Sequence, residues 1–103
     1  MKVQIVHIES CPHRTVAGER TRSALDALGH PDVPVEYVLV RNTEEAAAVA
    51  FAGSPTILID GRDAFDSAGS THDLACRAYA TEQGLAGAPT QGAIEEAIRA
   101  RLA

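Results

Sequence analysis

The chain has 103 residues, the size of one domain spanning residues 1–103, and its 46% hydrophobic content supports a globular core. A formal net charge of -5 argues against a general nucleic-acid binder, which needs a basic surface to release counterions. No apolar run is long enough to span a membrane, and strand-like alternation begins almost at Met1 rather than a cationic leader, so the expected location is cytoplasmic.

Taken in chain order, Lys2 to Ile8 reads as a buried strand and Pro12 to Leu28 as a helix, with Val16, Ala17, Ala24, Leu25 and Leu28 roughly on one face. Gly29 is a natural helix stop, with Pro31 just beyond it. Val35 to Val40 is a β-branched run and a second strand, and Pro34 at its start suits an edge. Asn42 followed by Glu45 signals a helix start, and Glu44 to Ala50 makes a short Ala-rich helix. Thr56 to Ile59 is the third strand. Asp60-Gly61 is a two-residue hairpin signal that folds Arg62 to Phe65 back antiparallel. Ser67 to Thr71 is loop-like, and Ser70 with Asp73 forms a capping-box pattern for a helix over Thr71 to Tyr79. Gly84 to Pro89 is a small-residue loop. Thr90 caps a last helix with an apolar stripe of Ile94, Ala97, Ile98 and Leu102. The expected class is α/β: a four-stranded mixed sheet with helices on both faces, its first two strands joined by a right-handed parallel crossover.

Two cysteines in a cytosolic chain point to thiol or metal chemistry rather than to a structural staple. Cys11 stands at a strand-to-helix junction, where free backbone N–H groups and the helix dipole stabilise a thiolate. Pro12 sits at or near the first helical turn, and Arg14 adds positive charge close by. Because junction loops are usually exposed, this reading stands ahead of a buried cysteine acting as a small hydrophobe. His13 is either a thiolate partner and proton shuttle or a solvated helix-start residue. His7 is expected packed in its strand and His30 in a loop. Arg14 and Arg77 are candidates to hold a carboxylate such as that of glutathione. Cys11, His13, His72 and Cys76 lack zinc-finger spacing, and no metal set is assigned to them.

Ser10-Cys11-Pro12-His13-Arg14 after the first strand, and Gly53-Ser54-Pro55-Thr56 before the third, resemble the active face of the thioredoxin and glutaredoxin superfamily over nearly the whole chain. More narrowly, Phe51 to Arg62 and Leu74-Ala-Cys-Arg-Ala-Tyr79 are similar to short thioredoxin-like proteins often labelled as related to alkylmercury lyase. The resemblance implies that Pro55 is a cis-proline, and that Ser54, Pro55 and Thr56 position a substrate by main-chain hydrogen bonds. It implies a thiol–disulfide redox protein in which Cys11 attacks a protein or small-molecule disulfide. Arg14 stands where such enzymes usually carry the second cysteine of Cys-x-x-Cys, so resolution falls to Cys76 or to a small thiol such as glutathione, with no resident cofactor. Two other roles stay open: a soft-metal or organomercurial-binding protein using Cys11 and Cys76, and a non-catalytic interaction domain. For true lyase chemistry the aspartate expected three residues after the first cysteine is replaced by Arg14, with Asp66 and Asp73 the remaining acids that could approach.

Overall fold

The computed structural model describes residues 1–65 and 74–102. The expected Ser67–Thr71 loop, the Ser70–Asp73 capping box, Asp66 and His72 lie outside the described residues. Strands β1 (Val3–His7), β2 (Val35–Leu39), β3 (Thr56–Ile59) and β4 (Arg62–Asp63) form one sheet in the order β2-β1-β3-β4. β1 pairs parallel with β2 and antiparallel with β3, in a register that sets Ile5 opposite both Tyr37 and Ile57.

Alternation along β1 and β3 divides the apolar residues between two faces. Val3, Ile5, Ile57 and Ile59 point to one side, where they meet Ala17, Ala24 and Leu25 of helix α1 (Arg14–Ala27) and Ile94 and Ile98 of helix α3 (Gln91–Leu102). Val6 and Leu58 point to the other side, where they meet Cys11, Phe51 and Ala46 of helix α2 (Thr43–Ala47). Helices therefore cover both faces of a mixed sheet. Each fully buried Ile, Leu or Phe contributes ~1.5–3 kcal/mol of transfer free energy.

The local signals act as the residue chemistry dictates. At the end of α1, Gly29 takes φ +82° and the His30 N–H reaches back 2.8 Å to the Leu25 carbonyl, closing a left-handed cap. Asp60 and Gly61 both take positive φ, as a two-residue hairpin requires. Asn42 accepts the Glu45 N–H at 2.8 Å, and the Glu45 carboxylate accepts the Arg41 N–H at 3.0 Å. The Thr90 hydroxyl accepts the Ala93 N–H at 3.2 Å and starts α3. Leu102, expected in the α3 stripe, is exposed at the helix end.

Three elements depart from expectation: the 74–79 helix, the Gly84–Pro89 loop, whose Gly84–Ala86 part pairs as a strand, and the second helix. No helix runs through 74–79. Residues 74–78 are irregular, and Tyr79 opens strand β5 (Tyr79–Thr81), which turns back on β6 (Gly84–Ala86) as a separate hairpin. Main-chain bonds to Ser54 hold the 75–77 segment extended, and tertiary pairing overrides its modest helix propensity. The α2 helix also ends at Ala47 rather than Ala50, because the chain turns through Val49 to bury Phe51, whose N–H bonds the Val49 carbonyl at 2.8 Å.

Candidate functional site at the carboxyl end of the first strand

The loop after β1 carries Cys11, and its geometry corrects the sequence reading in two ways. Cys11 is 1% exposed and packs among Val6, Ile8, Val40, Ala46, Phe51 and Leu58, so its thiol is turned into the core although Glu9, Ser10 and Pro12 around it are exposed. The helix also starts later than the expected Pro12. His13 is the N-cap, Arg14 is the first helical residue, and Pro12 is exposed in the turn before them. The Cys11 carbonyl is turned toward the Arg14 guanidinium, 3.0 Å away, instead of accepting a helical N–H. Since the dipole acts within the first turn, its influence on a thiol placed before the N-cap is reduced.

Arg14 also donates to the Glu9 carbonyl at 3.2 Å, so its guanidinium braces the loop backbone. His13 is half-buried rather than solvated, with Gly87 close against its ring. A Cβ at Gly87 would fall 2.3 Å from the imidazole. Beside the loop, a surface cleft of about 460 Å³ is lined by Ile8, Glu9, Ser10, Val40, Arg41 and Leu74.

Ser54 joins the two cysteine-bearing segments. It is fully buried, and its hydroxyl accepts the Ile8 N–H at 3.0 Å, at the entrance of the Cys11 loop. Its own N–H donates to the Ala75 carbonyl at 2.8 Å, and its carbonyl accepts the Arg77 N–H at 2.9 Å. These two bonds bracket Cys76 and make a parallel bridge between Ser54 and Cys76. Neighbouring strands so bonded lie about 4.8 Å apart. The main-chain groups of Ser54 that were expected to meet a substrate strand are thus bonded to the chain's own 75–77 segment. The Ser54–Pro55 peptide bond is cis. Thr56 is buried and turned inward. Its hydroxyl donates to the Gly53 carbonyl and accepts the Ala52 N–H at 3.1 Å.

Cys76 is exposed, and both cysteines are free thiols. The next residue, Arg77, is anchored inward. Its side chain is 7% exposed, donates to Asp63 at 2.8 Å and to the Phe65 carbonyl at 3.3 Å, and lies 4.5 Å over the Tyr79 ring. Its guanidinium is thereby engaged within the chain instead of facing a ligand carboxylate. Gly53, at φ +105°, permits the close approach, because a Cβ there would fall 2.8 Å from Arg77 Cβ. The Tyr79 hydroxyl donates to the Pro55 carbonyl. Burial pushes the Tyr79 phenol well above its ordinary range; the Arg77 cation opposes this, and negative charge on Asp63 and Cys11 adds to it.

Asp63, Tyr79, Gly53 and Gly87 were not among the site residues expected from sequence. Of these, Gly53 and Tyr79 lay inside the motifs that carry the resemblance, and Asp63 and Gly87 did not. Asp63 and Tyr79 become meaningful only through contacts distant in sequence. Scans against family models, curated proteins and solved structures return no match to this chain.

Proposed function

We propose that this is a thioredoxin-like thiol–disulfide exchange protein working through Cys11 and Cys76. The observation that carries the reading is the bonding of Ser54, which ties the entrance of the Cys11 loop to the residues on either side of Cys76. The parallel β1-α1-β2 unit, the antiparallel β3-β4 return and the cis Ser54–Pro55 bond give it further support. No helix among the described residues is long and apolar enough to cross a membrane. A reducing cytoplasm, where free thiols persist, suits this chemistry.

The division of labour follows from exposure. Cys76 is accessible, so it makes the first contact with a protein or small-molecule disulfide such as oxidised glutathione. Its thiol loses a proton to solvent, and the thiolate attacks one sulfur. The small disulfide bond breaks, and one glutathione leaves as a thiolate that takes up a proton. Local opening around buried Cys11 then lets its thiol lose a proton to solvent and attack the Cys76 sulfur, breaking the mixed disulfide and releasing the second glutathione as a thiolate that takes up a proton. Two protein thiols are oxidised to one disulfide, and one glutathione disulfide is reduced to two thiols.

Alkylation and intact-mass counting before and after equilibration with oxidised glutathione test this. An intramolecular Cys11–Cys76 link, mapped by peptide mass, is expected. Two thiols that stay free would sink the reading. The burial of Cys11 favours one second reading, an interaction domain in which that thiol only fills the core. In that case Cys11→Ala would leave thiol exchange at Cys76 unchanged.

A further inference from the structure

We infer that Arg77 is a positioning residue that holds Cys76 in register beside Ser54, and so sets how effectively the two cysteines form a disulfide. This rests on the exchange reading above. The segment carrying Cys76 has little else among the described residues to hold it. Leu74, Ala75 and Cys76 are exposed, and none belongs to either core cluster. Two main-chain bonds tie it to Ser54, and one of them is donated by Arg77 itself.

The Arg77 side chain converts that edge contact into a fixed one. Its planar fork reaches two acceptors on the strand β4 return, the Asp63 carboxylate and the Phe65 carbonyl. Its flat face rests on Tyr79, whose hydroxyl grips the Pro55 carbonyl next to Ser54. Asp63 is itself fixed, since its other carboxylate oxygen accepts the Phe65 N–H at 3.0 Å. Gly53 leaves room for the Arg77 backbone to lie against the turn that presents Ser54. Among the described residues, Arg77 thus contacts the 53–55 turn, Asp63 and Phe65 on the strand return behind it, and Tyr79, which itself holds Pro55. An intramolecular disulfide gains its advantage from such positioning, because the second thiol is held near the first instead of diffusing to it.

Arg77→Ala should free the segment without touching either thiol. Two readouts separate register from exchange. The first is amide exchange at Ser54 and Arg77, whose N–H groups are the bonds in question. The second is the equilibrium of the Cys11–Cys76 disulfide against a glutathione redox buffer. Arg77→Ala should speed exchange at both amides while β1 and β3 stay protected. It should also lower the disulfide equilibrium constant about ten-fold, a rise in potential of ~30 mV. Arg77→Lys keeps the charge opposite Asp63 but loses the fork and the stacking, and should fall between wild type and Arg77→Ala. Asp63→Asn gives the same test should Arg77→Ala not fold.

If the wild type forms no Cys11–Cys76 disulfide, the exchange reading falls and this inference falls with it. A wild-type disulfide whose equilibrium is unmoved by Arg77→Ala and Arg77→Lys overturns the positioning role alone. Unchanged exchange at Ser54 and Arg77 overturns the register claim whichever way the redox result goes.

Discussion

The two cysteines of this chain sit on segments that share one neighbour, Ser54, but are held by opposite means. The Cys11 side is fixed by packing: the thiol is enclosed by aliphatic residues and Phe51, and helix α2 closes that face of the sheet. The Cys76 side is fixed by polar contacts: two main-chain bonds, one ion pair and a cation over an aromatic ring hold an otherwise exposed segment. Packing is non-directional and buries what it fixes. Polar contacts are directional and can fix a residue while leaving it in water. One thiol is therefore protected and the other presented, although the segments that carry them both bond to Ser54.

The largest way to break this contrast is Phe51→Ala. Phe51 is fully buried, and its removal leaves a cavity beside Cys11. A loss of ~4 kcal/mol in urea unfolding is expected, within the usual range for a core aromatic. In native protein the alkylation of Cys11 should accelerate while that of Cys76 holds steady. Equal acceleration of both thiols would mean that the two sides open as one unit and the contrast is false.

A direct measure of the contrast comes next. Under native conditions Cys76 should react with a neutral alkylating reagent ~100-fold faster than Cys11. That ratio corresponds to a local opening of about 2.7 kcal/mol on the Cys11 side. Denaturant should bring the two rates together. A Cys11 that reacts as fast as Cys76 in native protein would show that its cover is already open.

The same contrast explains what could be read from sequence. The strands β1, β2 and β3, the α1 stop at Gly29, the Asp60-Gly61 turn and the Asn42 and Thr90 caps are local: each follows from a periodicity or from one residue's backbone preference. The site was legible only where it coincided with such features. Cys11, Ser54 and Pro55 lie at strand ends, and their neighbourhood follows from the order of the elements. The burial of Cys11 was not legible, because it depends on Ala46 and Phe51 arriving from 35 and 40 residues away. The 74–79 stretch reads as helix from sequence for a similar reason. Its conformation is decided by Ser54, Asp63 and Pro55, and Tyr79-Ala-Thr is too short to announce a strand. The β5-β6 turn at Glu82-Gln83 has none of the Asn-Gly or Asp-Gly signals that mark a hairpin.

On the Cys76 side, Tyr79→Phe removes the donor to Pro55 while keeping the ring beneath Arg77. A loss of ~1 kcal/mol is expected, the usual net value of one hydrogen bond plus the unsatisfied acceptor. The substitution should also alter the alkaline limb of stability. Burial raises the folded phenol above the unfolded value of about 10. The unfolded state therefore loses this proton first. The contribution of Tyr79 is complete below pH ~10 and declines as pH climbs from there toward the folded value. Unfolding free energies across that range should fall for the wild type and less steeply for Tyr79→Phe. Parallel curves would remove Tyr79 from the alkaline response.

The smallest effect tests whether the Cys11 side can be loosened from its rim. Helix α2 has five residues, too few to persist alone, and Ala46 is the one member that reaches the Cys11 cluster. Its start is held reciprocally: Asn42 accepts the Glu45 N–H, and Glu45 accepts the Arg41 N–H and guanidinium. The Arg41 hydrogen bond holds the Glu45 carboxyl below its ordinary range. Asn42→Ala should cost ~1 kcal/mol, the usual value of an N-cap. Because the cap acts on Cys11 only through Ala46, Cys11 alkylation should rise by a few-fold at most, far less than in Phe51→Ala. The Cys76 rate, which depends on contacts across the Ser54 turn, should not move. If Asn42→Ala exposed Cys11 as fully as Phe51→Ala, the thiol would be guarded by a short helix acting as a cover instead of by the core, and the packed side of the comparison would have to be redrawn around α2.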